Sequence, residues 1–463
     1  MTTLPPARLV SLGGYSRLDS VEDGNKRNGM LVMQGQAGGA SALVPMRPVH
    51  NHGDPMHSLI RIPLARLLFA AVPLALAAGA AGAAPKAYVG NFKDNTVSVI
   101  DVDTAAVVAT VPVVAGPHGM AVTPDGRRVF VSGDTSTGVS VIDTATDRVI
   151  QTIDVGKTPH GVAMTPDGKT LLVAVYGEGR VAFVDVASNA VVATVPVPNP
   201  HTIAIRPDGK TAYVASQVPG KFALVVVNLA SRSVVRAVAL ATAPRDPEFS
   251  FDGKALYFTL AGVDAVEVLD PTTDKVVAEV PTGASPHIAK LYRGATLAAA
   301  VVQGPGELQL FDPATKKPVR TIAVGKQPHW QASNDGEKVY VTNEGSNNVS
   351  VVDLGTGRTI TIPVGTAPRK VVVQPAPLAA SDNARVSIAK FKFAPPTLSV
   401  AAGASVTWEN KDGAPHGLAF KDGAKGVNPL LPGASFSRTF DRAGIYDYIC
   451  SVHPFMSGRV VVR

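Results

Sequence analysis

From Ala87 to Gln374 apolar and polar positions alternate in short runs, and the runs recur in a fixed order. A Tyr-Val-like run is followed by a turn, a Val-Ser-Val-Ile-Asp run and a third valine-rich run. Gly-x-x-Pro-His and a fourth run ending in Pro-Asp-Gly complete the unit. Alternation at period two predicts β-strands. The Asp-Gly pairs at 125–126, 167–168, 208–209 and 252–253 predict tight turns between them. The Asp or Asn that ends the second run falls at Asp101, Asp143, Asp185, Asn228, Asp270, Asp312 and Asp353. The residue after the repeated proline falls at His118, His160, His201, Arg245, His287, His329 and Arg369, at spacings of 42, 41, 44, 42, 42 and 40 residues.

A period near 42 with four strands per unit predicts a β-propeller, and seven units predict seven blades. The array begins on the second strand of a unit, at Tyr88, and ends on a first strand, at Lys370 to Gln374. The last strand is therefore expected to complete the blade that the first residues begin, which leaves no exposed seam. The residue after each proline opens the strand expected to be innermost, so five histidines and two arginines should ring the channel mouth. Trp330, beside His329, is expected either to cover the channel mouth or to pack between blades, with packing favoured. The unit resembles the repeat family named for its Tyr-Val-Thr-Asn motif. Tyr340-Val341-Thr342-Asn343 spells that motif, and Tyr88-Val89-Gly90-Asn91 nearly matches it.

After the array the pattern changes. The only cysteine of the chain lies in Cys450-Ser451-Val452-His453-Pro454-Phe455-Met456, and Asp412-Gly413-Ala414-Pro415-His416 supplies a second imidazole from a turn. A thiolate, two imidazoles and a weak thioether make the trigonal set with an axial sulfur that suits a blue copper centre. The alternatives are a lone cysteine acting as a small core hydrophobe, and zinc, for which methionine is a poor ligand.

The segment from Ala384 to Arg463 resembles the cupredoxins, most closely the amicyanin and plastocyanin type, whose ligand loop reads C-x-x-H-P-x-M. Its framework carries the likeness as well: Ala401-Ala402-Gly403, Val406-Thr407-Trp408-Glu409-Asn410, Leu431-Pro432-Gly433 and Gly444-Ile445-Tyr446-Asp447-Tyr448-Ile449-Cys450. The resemblance implies one type 1 copper with His416, Cys450 and His453 as equatorial ligands and Met456 as the axial one. Trp408 and Phe436 are expected in the core of this small domain. One departure stands out: many cupredoxins carry a polar residue, often Asn, after the first ligand histidine, and here it is Gly417.

Composition agrees with short strands and turns, since aromatic residues are 6% while Gly and Pro number 43 and 37. The fold class expected is all-β, a seven-bladed β-propeller followed by a small cupredoxin β-sandwich. The formal net charge of +7 favours an acidic redox partner. No basic cluster interleaves with aromatics, which argues against nucleic-acid binding. A phosphate loop, a Gly-x-Ser-x-Gly elbow and a Cys-x-x-Cys-His haem attachment are all absent from the sequence.

Residues 56–83 read as a signal peptide, with Arg61 and Arg66 before an apolar run and small residues near Ala81-Gly82-Ala83. Residues 1–55 read as a non-native or disordered extension, with translation starting at Met56. The expected domains are then 84–376 for the propeller, 377–383 for a linker and 384–463 for the cupredoxin. A linker that short keeps the copper domain beside one propeller rim, of its own chain or of a neighbouring copy in an oligomer.

Three functions follow as expectations. The first is a periplasmic or secreted electron-transfer protein, without a membrane span after signal cleavage, in which the propeller docks a redox partner. The second is a two-site copper oxidoreductase with a second metal held by His118, His160, His201, His287 and His329. Its layout resembles that of nitrous oxide reductases, but their copper-site domain needs two cysteines where Cys450 stands alone. The third is a non-redox copper-binding or surface interaction protein.

Overall fold

The computed structural model describes residues 85–292, 296–375, 384–441 and 444–462. The expected extension, signal peptide and linker lie outside the described residues. The described chain is built almost wholly of strands, and none of its helices is long and apolar enough to cross a membrane.

Seven four-stranded antiparallel sheets form the blades. The first sheet runs Pro368–Val373, Lys86–Asn91, Thr96–Asp101, Ala106–Pro112, so the last strand of the array pairs with the first. Ala87 faces Val373 and Val89 faces Val371 in this closing pair. Beyond it, Lys86 N donates to Gln374 Oε1 at 2.9 Å and Gln374 Nε2 donates to the Gly126 carbonyl of the next blade at 2.7 Å. The expected closure is the one observed.

Each recurring residue has a local cause. The aspartate ending the second strand folds back on the turn after it. Asp101 Oδ1 accepts from the Thr104 amide at 2.8 Å and the Thr104 hydroxyl at 2.9 Å, the Asx geometry that short acids favour. The Asp-Gly turns need a left-handed residue, and Gly126, Gly168, Gly209 and Gly253 have φ between 68° and 73°. The strands Thr96–Asp101 and Gly138–Asp143 are buried on both faces because neighbouring blades cover them: Val97 and Ile100, and Val139 and Ile142, are fully buried. Outermost strands alternate toward solvent, as the exposed Val108, Val192 and Val277 show.

Six of the seven innermost strands begin at the repeated proline, as expected; the other is Glu248–Phe249, with Pro244 bridging Leu260 alone, and each lies against the next around the ring. A bulge follows the proline: pairing shifts between Pro117 and Met120, and between Pro159 and Val162. The extra residue turns the histidine inward. Close approach of these strands needs glycine, since a Cβ at Gly119 would lie 2.2 Å from the His160 carbonyl oxygen and one at Gly161 would lie 2.6 Å from that of His201.

The C-terminal domain is a two-sheet sandwich. One sheet has the order Lys392–Ala394, Arg385–Ala389, Ala404–Asn410, Ser435–Phe440. The other runs Thr397–Val400, Ser457–Val462, Gly444–Ile449, His416–Phe420, Val427–Leu430. Trp408 is fully buried between them, with Phe436 partly buried against the same core. The sandwich touches the propeller at turns that follow innermost strands. Thr397 Oγ1 donates to the Asp335 carbonyl at 3.3 Å, and the Arg459 guanidinium lies 5.1 Å from the Phe251 ring centroid.

Candidate metal centre

Three turns at one end of the sandwich meet around Cys450. The strand Gly444–Ile449 delivers Cys450 to a tight loop, closed by Met456 N donating to the His453 carbonyl at 2.9 Å and Cys450 N to the Met456 carbonyl at 3.0 Å. His416 opens the adjacent strand and is fully buried. Cys450 and Met456 are buried in the same apolar core.

Cys450 Sγ lies 3.6 Å from His416 Nδ1 and 3.7 Å from His453 Nδ1, and the two Nδ1 atoms are 3.3 Å apart. A point equidistant from those corners is about 2.0 Å from each, close to the ~2.0–2.3 Å span of nitrogen and thiolate bonds to an ion such as zinc. The donor set therefore fits a small transition-metal ion, and the buried thioether of Met456 beside it favours copper over zinc. The Cys450 sulfur also accepts from the His453 amide at 3.3 Å, a contact that stabilises thiolate charge.

The surroundings hold the two imidazoles in place. His416 Nε2 lies 3.0 Å from Asp412 Oδ2, so the ring carries its proton on Nε2 and keeps the Nδ1 lone pair toward the cysteine. Asp412 also accepts the amides of Lys390 at 2.5 Å and Phe391 at 2.9 Å, and the Phe391 amide is the largest influence holding its carboxyl below the usual range. That brings the Phe391 ring to 5.5 Å from His416 and 5.0 Å from His453, centroid to centroid. Buried Asn410 ties the ligand turn to the sheet by donating to the carbonyls of Ala414 and Leu430, each at 2.9 Å. Sequence reading singled out neither Asp412 nor Phe391. The one available signal was the four-residue step from Asp412 to His416. Gly417 has no room for a side chain: its Cβ would lie 2.1 Å from Ser451 Oγ, which fills that space from the other ligand loop.

The five propeller histidines do gather. Ring centroids are 3.8 Å apart for His118 and His160, 4.0 Å for His160 and His201, 4.1 Å for His287 and His329, and 5.6 Å for His118 and His329. Burial pushes His118, His160, His201 and His329 below the ordinary histidine range and keeps them neutral. His160 and His329 place Nδ1 3.0 Å from the carbonyls of His201 and Arg369, while Nδ1 of His118 and His201 is buried without a partner. Arg369 pairs with Glu344 at 3.2 Å. The rings stand side by side along an arc. Among the described residues, His416, Cys450 and His453 form the one group of His, Cys, Asp or Glu whose ligand atoms all lie within 4.8 Å of one another.

Fold and site together define a class: a propeller carrying a copper-site β-sandwich. The family model for copper binding proteins of the plastocyanin/azurin family matches residues 380–463, and that for the YNCE-like beta-propeller matches residues 70–169. Amicyanin-alpha of Methylorubrum extorquens is 43% identical over 97 residues, which cover 20% of this chain and 78% of the relative. Amicyanin of Paracoccus denitrificans is 39% identical over 106 residues, covering 21% and 81%. The chain belongs, through its C-terminal domain, to the plastocyanin/azurin family of copper-binding proteins. The Kuenenia stuttgartiensis hydrazine synthase structure superposes with a TM-score of 0.54 at 24% identity, over 58% of this chain and 92% of that one, a likeness of fold alone.

Proposed function

We propose that the protein is an exported one-electron carrier with a single mononuclear copper site, held by His416, Cys450 and His453 with Met456 on the axis. The observation that carries this reading is the near-equilateral triangle of one sulfur and two Nδ1 atoms. Bound there, copper supplies a Cu(I)/Cu(II) couple. The chain's own residues do the rest. Burial of Cys450, Met456 and His416 keeps water from the site, and the two ligand loops fix the imidazoles from opposite sides. His453 is the one half-exposed ligand, and around it lie exposed Phe455, Val452 and Phe391. That apolar surface is the docking face for a redox partner, which the +7 charge of the chain biases toward an acidic one. The relatives named amicyanin and the leader-like segment at 56–83 support a periplasmic or secreted location.

The test is visible absorption with metal analysis on the chain from residue 84, purified with copper. A strong thiolate-to-copper band at about one copper per chain, lost in Cys450→Ala, is the expected result. Absence of the band overturns the assignment. Extra copper that survives Cys450→Ala would instead favour the two-site oxidoreductase, with the channel histidines as the second site.

A further inference from the structure

Copies in a repeat array share residues by descent, so the informative positions are those where a copy departs. Two residues after the repeated proline stand Gly119, Gly161 and Thr202 in three successive blades, but Asp246, Ile288, Trp330 and Lys370 in the other four. Two residues further on, the same three blades carry Ala121, Ala163 and Ala204, while Glu248 and Lys290 occupy two of the others. These departures fall in one place. Asp246, Glu248, Lys290, Trp330 and Lys370 all line a channel cavity of about 560 Å³, with Ala121, Gly161, Ala163, Thr202 and Ala204 across from them. Large polar groups on one side facing glycine and alanine on the other leave room for a guest.

Lys290, Lys370 and Arg459 share the lining with Asp246, Glu248 and Asp335, but not every charge has a partner in contact. Lys290 Nζ pairs with Glu248 Oε2 at 2.9 Å, and Asp246 Oδ2 lies 3.0 Å from His287 Nδ1. Lys370 is 6% exposed and makes no hydrogen bond or ion pair among the described residues; its Nζ sits 3.1 Å from the Trp330 ring centroid. Asp246 and Glu248 act on it from a distance and offset only part of the cost of burying an ammonium with no anion in contact. Burial accordingly pushes Lys370 down to about 7. A methionine would fill the same space without that cost, so the amine is best explained by something that binds it.

We propose that the propeller channel holds a binding site for a small organic monocarboxylate, with the anionic group on Lys370 Nζ and the carbon chain along Trp330, Met120 and Met164. One unpaired cation matches one negative charge, which disfavours phosphate. Each carboxylate has a near neighbour, Lys290 for Glu248, His287 for Asp246 and the Glu337 and Lys338 amides for Asp335, which disfavours an amine. Thr397 and Arg459 of the copper-site domain also line the cavity, so the guest lies against that domain.

The experiment is a titration of the full copper-loaded chain with acetate, propionate and butyrate, read by calorimetry and by Trp330 fluorescence. Phosphate and propylamine serve as comparators. Trp408, the other tryptophan, is buried in the sandwich and contributes a constant background. The expected result is saturable binding of one carboxylate per chain, weakened tenfold or more in Lys370→Met and largely kept in Lys370→Arg. Lys370→Met should keep the copper band and melt no lower than the native chain. Should it fail to fold, Trp330→Phe is the second variant, expected to bind more weakly and to prefer butyrate less. Failure of all three carboxylates to bind, or equal binding to Lys370→Met, overturns the proposal. So does phosphate binding more tightly than butyrate, or propylamine binding that is lost in Asp246→Asn.

Discussion

A ligand histidine is only half specified by the lone pair it offers; the other nitrogen decides which way the ring points. In His416 that nitrogen meets the Asp412 carboxylate at 3.0 Å. Asp412→Ala should therefore weaken copper binding by about 10- to 100-fold while leaving all four expected ligands in place. Competition against a calibrated chelator measures it, and an unchanged affinity would show that the sheet alone orients the ring. The proposed ligands could be singled out in the sequence because their residue types and spacing are chemically restrictive. Asp412 was not, because a carboxylate in a turn gives no sign of whether it faces solvent or an imidazole. Lys370 was hidden for a similar reason: it follows Arg369, and only the bulge brings both to the channel. Its pH behaviour can be worked out. The folded pKa of about 7 lies below the ordinary 10.5, so between those values the unfolded chain binds more protons. Stability then rises with pH across that window. The facing charges, Asp246, Glu248, Lys290 and His287, are shared by the native chain and Lys370→Met. The gain in melting temperature of that variant should be greatest below pH 7 and fade toward pH 10.5. A pH-independent difference would mean that Lys370 keeps its charge when buried.

At the scale of elements, alternation and turn chemistry were enough to place the strands, and the seven-fold recurrence placed the blades. What the pattern could not give was the bulge after the proline in six of the seven blades. It arises from the contact between neighbouring innermost strands, a tertiary effect invisible to any single repeat. Trp330 shows the same limit: expected between blades, it does pack there, but it also lines the cavity and carries Lys370 and Lys290 over its ring. The closing strand was legible because it is a matter of counting. A chain ended after Pro363 lacks Pro368–Val373 and leaves Ala87 and Val89 without their partners. It should lose its cooperative melt, whereas a chain ended after Pro375 should keep one, as circular dichroism would record. A cooperative melt in both would mean that six complete blades hold without closure.

For the whole molecule, the exposed surface around His453 is the proposed exit for electrons. Phe455 is 74% exposed beside a largely buried site, an arrangement with no folding benefit. Phe455→Ala should slow electron self-exchange between reduced and oxidised chains by about tenfold, the effect of losing one aromatic anchor of ~1.4 kcal/mol. Line broadening in NMR spectra of mixed samples reads the rate. The absorption band and potential should not move; if they do, Phe455 acts on the copper site rather than on contact.

The closing pair of strands also sets a schedule. Lys86 meets Gln374 across 288 positions of sequence, so the first blade waits for nearly the whole array to be made. Contacts that distant are slow to form. Until they do, the strand edge at Ala87 and Val89 is open to pairing with other chains. The copper-site domain is synthesised last, yet its own contacts are local to 384–462 and need no such wait. Newly made molecules should therefore pass through a stage in which the metal site is complete while the ring beneath it is still open.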